Sequence, residues 1–381
     1  MLPKERVQAA FEHRPSDKVP IYQAGLSSYA ASLILGREAW TGGGIQQYRE
    51  ARALWEGPEA HAEFLQRSRN DAFELADVLD LDLIRPMYWR MPEKPTRRID
   101  EWTFVYGDES GNAWRVMTFD PTTELYQVSA RAPRPEPTLE DLERQLQGPP
   151  PDPGAYRVTP STWPDLVAAV ERFGQHRAIP GYGTSLCIPR EAIWLEACLL
   201  RPDLVERYLD RQLARVPANV AAMREMGLNY LCGGGDFAGP RGPIYSPKVF
   251  HDLMAPRLHR ISQICHEAGC RHGFASDGNL WPVAEDLFGR CDVDFFYEVD
   301  RRSGMDLRRL RQTYPHLTLW GGINSETLHL GSPEEVRTEV RTALEAAKEF
   351  SGIVVGCSNQ VVVGTPPRNI EVMLETLRDH R

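Results

Sequence analysis

A chain of 381 residues, 42% apolar and 9% aromatic, is long enough to bury a large core and can form a single large α/β domain. Its net charge of −9, with no block of Lys and Arg, argues against nucleic acid or an anionic membrane as partner. No apolar run reaches the ~18–20 residues of a membrane span. The seven cysteines include no CxxC pair, which fits free thiols in a reducing compartment. Met1-Leu2-Pro3-Lys4-Glu5-Arg6 runs straight into an amphipathic pattern, without the apolar core of a signal peptide, so the expected location is the cytoplasm.

The first predicted strands lie at 19–23 and 82–85. Between residues 102 and 131 apolar and polar positions then alternate, and Thr103-Phe104-Val105-Tyr106 and Ala113-Trp114-Arg115-Val116 form two hairpin arms around Gly107-Asp108-Glu109-Ser110-Gly111-Asn112. This predicts an antiparallel insertion. A Pro-rich stretch at 132–153, around a short acidic helix, reads as a surface connection, so residues 1–381 are taken as one domain. Strand 178–182 follows, with helices at 188–196 and 202–225, strand 230–234 and helix 247–268. Strands 271–276, 294–299 and 317–323 come next. Helix 332–350 opens on Ser332-Pro333-Glu334-Glu335, an N-cap followed by Pro at the first helical position and acids in the first turn. Strand 352–357 is the eighth. Strands alternating with helices predict parallel pairing, and eight of them predict a (β/α)8 TIM barrel. No G-x-G-x-x-G follows the first strand, as a doubly wound dinucleotide fold would require.

Six of these strands run into Gly or polar residues at their C-terminal ends, the rim where barrel chemistry is done. The segments are Gly181-Tyr182-Gly183-Thr184, Gly234-Gly235-Asp236-Phe237, Ser276-Asp277-Gly278-Asn279, Glu298-Val299-Asp300, Gly322-Ile323-Asn324 and Cys357-Ser358-Asn359. Turn residues account for most of the glycines. They do not account for Asp236, Asp277, Glu298 and Asn359 converging on one rim, where carboxylates repel unless a cation or a proton is shared. Along 271–277 the odd positions face one way and the even positions the other, so Asp277 and His272 cannot ligate one metal together. His266, Cys270 and His272 read as ordinary core and surface residues.

Several ordered segments together resemble the uroporphyrinogen decarboxylase superfamily. They begin with Lys4-Glu5-Arg6-Val7-Gln8-Ala9-Ala10-Phe11-Glu12-His13-Arg14, Asp17-Lys18-Val19-Pro20 and Gly235-Asp236 with Tyr245-Ser246-Pro247. Further along are Ser276-Asp277-Gly278-Asn279, Gly304-Met305-Asp306, Trp320-Gly321-Gly322-Ile323-Asn324, and Ser358-Asn359 running to Thr365-Pro366-Pro367-Arg368-Asn369. The resemblance implies a (β/α)8 barrel. The thiol-methylating branch of that superfamily holds zinc with His-x-Cys on the fifth strand, Glu on the sixth and Cys after the eighth. Here those positions read Ala275, Asp277, Glu298 and Asn359. The usual zinc ligands are missing, and a metal would need Asp277 and Glu298 with Cys357, Asp236 or His251. The decarboxylase itself carries an Arg-Gln-Ala-Gly-Arg run that is Tyr22-Gln23-Ala24-Gly25-Leu26 here, and its late histidine is Asn359. A tetrapyrrole with eight carboxylates would meet an acidic rim, with Arg85, Arg190 and Arg241 as compensating cations.

The pattern is most similar to the corrinoid-dependent branch that demethylates a small methoxylated or methylated donor and passes the methyl group to a corrinoid on a partner protein. In that reading Asp277, Glu298 and Asp236 protonate the leaving oxygen or bind a metal that polarises it. Tyr182, Asn279, Asn324, Asn359 and Arg241 contact the substrate, and Trp89, Trp281 and Trp320 form an apolar wall. The alternatives are a porphyrinogen decarboxylase and a non-catalytic barrel that binds a small ligand or tetrapyrrole. A homodimer stays open.

Overall fold

The computed structural model describes residues 1–111 and 113–381, so Asn112 of the predicted hairpin turn lies outside the described residues. Six strands form one sheet in the order Ile353–Cys357, Thr318–Ile323, Phe295–Val299, Arg271–Ala275, Tyr230–Gly234 and Pro180–Gly181. All neighbouring pairs are parallel. Buried on both faces, such strands read as near-continuous apolar runs, as Ile353–Cys357 does. Single parallel bridges continue the pairing from Ala178 to Leu83, from Leu83 to Tyr22, and from Ile21 to Val355. The Tyr22 N–H donates to the Val355 carbonyl at 3.0 Å and the Ala178 N–H to the Asp82 carbonyl at 2.9 Å. The architecture is mixed α/β around a strongly curled parallel sheet.

Three predicted strands are shorter than expected. Segments 19–23 and 82–85 make only bridges, and 178–182 contracts to Pro180–Gly181. Pro20, Pro86 and Pro180 supply no N–H, so a full ladder cannot form through them. Proline also breaks two predicted helices. Segment 202–225 divides into Pro202–Leu213 and Val216–Glu225 at Pro217, and 247–268 carries a wide turn, Phe250–Met254, just before Pro256. The helix at 188–196 begins later, as Ala192–Leu200. Helix Pro333–Phe350 has the predicted cap, with Ser332 Oγ accepting from the Glu335 N–H.

The insertion is a four-stranded antiparallel sheet of Arg97–Arg98, Thr103–Asp108, Ala113–Asp120 and Leu125–Arg131. Its buried face stacks Phe119 on Tyr48 of helix Gly44–Glu56 at 4.4 Å between ring centroids. Glu124 ties it to the main body, accepting from the Ser28 and Tyr29 N–H groups at 2.8 Å.

Strand parity sorts the core into two layers. Leu231, Phe274, Phe296, Leu319 and Val355 pack outward beneath the helices. Leu83, Cys232, Phe295, Trp320 and Val354 point inward. Phe11, from the first helix Pro3–Phe11, closes the end where these strands begin, 4.3 Å from the Tyr230 ring and 5.3 Å from that of Phe295. The opposite end is left to the site. Among the described residues, no helix is long and apolar enough to cross a membrane.

Candidate active site at the strand ends

The site is built from the loops that leave the C-terminal ends of the parallel strands. After Tyr230–Gly234 the chain passes so close to its neighbour that a Cβ on Gly234 would lie 2.3 Å from the Ala275 carbonyl oxygen. With φ +134° besides, only glycine suits that position. The turn delivers Asp236, whose Oδ1 accepts from the Asp277 N–H at 3.2 Å and whose Oδ2 pairs with Arg190 at 3.2 Å. Asp277 continues the inward positions of its strand, and its Oδ2 accepts from Asn359 Nδ2 at 3.0 Å. Asp300 stands behind the same loop, accepting from the Gly278 N–H at 3.3 Å and from Ser303 Oγ at 2.6 Å. Burial, reinforced by Asp236 and Asp300, raises the Asp277 pKa, and the Asn359 hydrogen bond works against the rise.

Glu298 reaches the same mouth by a different device. On Phe295–Val299 simple alternation puts 295 and 297 inward and 298 outward. Glu298 instead adopts φ +64°, and the register with the neighbouring strand shifts between Tyr297 and Val299. Val299 consequently packs outward in the shell while Glu298 turns inward. A left-handed glutamate is a costly conformation held by its surroundings. The carboxyl makes no hydrogen bond or ion pair among the described residues. Burial, with the charges of Asp277 and Asp236 adding and Arg85 opposing, pushes its pKa up to about 8. Near neutrality it is therefore largely protonated, an acid aimed into a mouth with no partner.

Tyrosines surround it. The Tyr22 hydroxyl is buried without a hydrogen-bond partner, and burial and then Glu298 drive its pKa well up. Tyr297 Oη donates to the Gly233 carbonyl. Tyr182 is raised by burial and then by Cys232.

Asp236, Asp277 and Asn359 thus form one hydrogen-bonded chain, with Glu298 coupled to it through charge. The rest of the predicted set divides. Asn324 lines the adjoining cleft of about 530 Å³ with Asp277, Asp300, His329 and Asn359, but its side-chain oxygen caps helix Ser325–Leu330. The Asn279 side-chain oxygen likewise accepts from the Trp281 N–H at 3.1 Å. Arg241 is exposed in the turn between Ala238–Gly239 and Gly242–Pro243. The metal set fails: Cys357 falls on an outward position of its strand and is fully buried in the shell beneath the helices. His251 pairs with Asp286 at 3.0 Å. Among the described residues no three His, Cys, Asp or Glu side chains gather as metal ligands. His272 is buried and bonded to Ser262, as expected of a core residue. Trp320 belongs to the inner core and Trp281 donates to the Gly304 carbonyl, whereas Trp89 is 59% exposed beside Gly43. Tyr22, Tyr297 and Asp300 were not singled out from sequence. Tyr297 shares the inward parity of Phe295, a signal that was available.

Residues 192–380 match the family model for uroporphyrinogen decarboxylase (URO-D). No curated protein sequence matches the chain. Among solved structures, a methyltransferase from Methanosarcina mazei superposes with a TM-score of 0.62 at 18% identity, covering 100% of this chain and 99% of that one. A protein from Listeria monocytogenes, provisionally described as a vitamin-B12 independent methionine synthase, gives a TM-score of 0.49 at 13% identity, covering 95% and 98%. Likeness at these identities speaks to fold alone.

Proposed function

Because the chain belongs to the uroporphyrinogen decarboxylase superfamily, we propose that it is a methyltransferase that takes a methyl group from a small methoxylated or methylated donor and passes it to a corrinoid. The corrinoid is the acceptor, a substrate carried in by a partner protein. The curled sheet and its three bridges are read in the same way, as a closed (β/α)8 barrel formed by the single domain 1–381.

One observation carries the reading: the unpartnered Glu298 carboxyl, kept protonated near neutral pH at the mouth. An ether oxygen is a poor leaving group, and a positioned acid makes it a good one. In the step, the methyl C–O bond breaks and its electron pair stays on oxygen, which takes the Glu298 proton. The acceptor supplies the electron pair for the new bond to carbon. The Glu298 carboxylate left behind regains its proton from solvent. Burial, and then the charges of Asp277 and Asp236, keep the Glu298 proton available by raising its pKa, and Asn359 fixes the Asp277 carboxylate. An acceptor macrocycle needs an open face over these groups, and Asn359 and Arg190 are exposed at that rim. The residues do not fit zinc, so no step runs through it.

The test supplies reduced corrinoid and a panel of methoxylated aromatics and methylated amines, and measures loss of the donor methyl group. Glu298→Gln keeps the shape without the acid and should lower the rate by about 10²-fold or more. Full activity in that variant overturns the assignment. An inactive wild type that decarboxylates a reduced porphyrinogen would favour the decarboxylase, and one that only binds ligand would favour a non-catalytic barrel.

A further inference from the structure

We propose that Arg85 anchors a carboxylate of the substrate, so that the molecule accepted at the mouth is a small monoanion with an apolar body; this rests on the methyl-transfer reading for placing the substrate there. Leu83 points into the barrel, so Arg85, two residues on, faces the same way. Its Nε donates to the Met87 carbonyl at 3.0 Å and its Nη1 to the Ala24 carbonyl. Arginine has five N–H donors, so three are left without a protein acceptor among the described residues. Among the described residues no carboxylate pairs with it, although Asp277, Asp236 and Glu298 share the mouth.

Two neighbouring cations are occupied, Arg190 by Asp236 and Arg302 by Glu326, and Arg241 is exposed in its turn. A partly buried guanidinium braced by two carbonyls and short of an anion is an incomplete arrangement, and a planar fork matches a carboxylate. The charges of the surrounding groups define its position. Arg85 acts on Glu298, Tyr22, Tyr182 and Cys232 and lies 5.0 Å over the Tyr88 ring. Among the described residues the Tyr22 hydroxyl is buried and unpartnered, and the Tyr182 hydroxyl makes no hydrogen bond either, so two further donors are free for the same anion. Tyr22, Tyr182 and Tyr297 offer ring surface for an apolar body. One partly buried, unpaired guanidinium beside an acidic rim suits one negative charge better than the two of a phosphate. Glu298, largely neutral near pH 7, does not repel it.

The experiment compares benzoate with benzamide, equal in shape and different in charge, by calorimetric titration of the full chain at pH 7. The wild type is expected to bind benzoate about tenfold or more tightly than benzamide. Arg85→Gln should erase that preference with benzamide affinity unchanged. Should Arg85→Gln not fold, Arg85→Lys serves: it keeps charge without the fork and should weaken benzoate several-fold, leaving benzamide alone. Equal affinity of the wild type for both probes, no measurable benzoate binding, or a preference that survives in both variants overturns the anchor. The two readings fail separately. Benzoate preference in a protein that demethylates nothing supports the anchor and removes the reaction. Demethylation of neutral donors without benzoate preference removes the anchor and keeps the reaction.

Discussion

Asp82 and Glu298 are carboxylates withdrawn from water at opposite ends of the same curled sheet, and the fold treats them in opposite ways. Asp82, fully buried, accepts from Arg6 at 3.0 Å, from Arg381 at 3.1 Å and from the Ile21 N–H at 2.9 Å. Glu298 accepts from nothing among the described residues. The first carboxylate locks the opening helix and the last residue onto the strand that carries it, at the end sealed by Phe11. The second is left unsatisfied at the open end. A buried acid whose lone pairs are all engaged is part of the scaffold. One held protonated and unpartnered is available to a ligand.

Several substitutions would break or sharpen that contrast. The largest effect on stability is expected from Asp82→Ala, which leaves Arg6, Arg381 and the Ile21 N–H facing a cavity. Removing one partner of such a buried cluster costs about 3–5 kcal/mol, read as a shift in the midpoint of denaturant unfolding. If Glu298→Gln cost as much, the two acids would not differ as argued.

Glu298→Gln should instead spare the fold and remove catalysis, and its effect on stability has a defined sign. A carboxyl raised from 4.5 to about 8 binds its proton more tightly in the folded state. Wild-type stability from this group is complete below about pH 4.5 and falls as pH rises to about 8, by at most ~1.4 kcal/mol per pH unit. The amide does not titrate, so the variant gains on the wild type across that window. Parallel unfolding curves from pH 5 to 9, with no divergence, would contradict the shift.

A smaller change is expected from Asn359→Ala. Losing the donor at 3.0 Å lets the Asp277 pKa rise further, weakening the charge that supports the Glu298 proton. The alkaline limb of the rate profile, where Glu298 loses its proton, should then move toward lower pH, and an unmoved profile would place Asn359 outside this coupling. Smallest of all should be Arg190→Ala. Arg190 is 63% exposed in its pair with Asp236, and such pairs contribute between 0 and about 1 kcal/mol. A loss well above that, in a denaturant titration, would mean that the mouth relies on its rim charges for structure.

Much of this was legible in the chain. Asp236, Asp277 and Asn359 could be placed on one rim because each follows a strand, and strand ends on one side of a parallel sheet must lie together. The cap at Ser332 and the hairpin arms at 103–106 and 113–116 carried their own local signals. Cys357 was misjudged because proximity in sequence to Asn359 hid its outward parity. Asn279 and Asn324 each engage the side-chain oxygen in a local cap, a use that sequence does not distinguish from ligand contact, and Asn324 also lines the cleft. The route by which Glu298 enters the mouth was not legible. It depends on a register shift between two strands, and alternation counted along one strand points the wrong way. Likewise Pro20, Pro86 and Pro180 showed their effect only once pairing partners were known.

The left-handed backbone at Glu298 sets stability against use. Glycine adopts φ +64° freely, so Glu298→Gly relieves about 1 kcal/mol of conformational cost and also removes a carboxyl that resists burial. The variant should melt at a higher temperature than the parent while lacking its acid. A screen for thermal robustness on this chain would therefore tend to select against the residue the chemistry depends on, and the hardiest clones would be the ones to check first for a silent mouth.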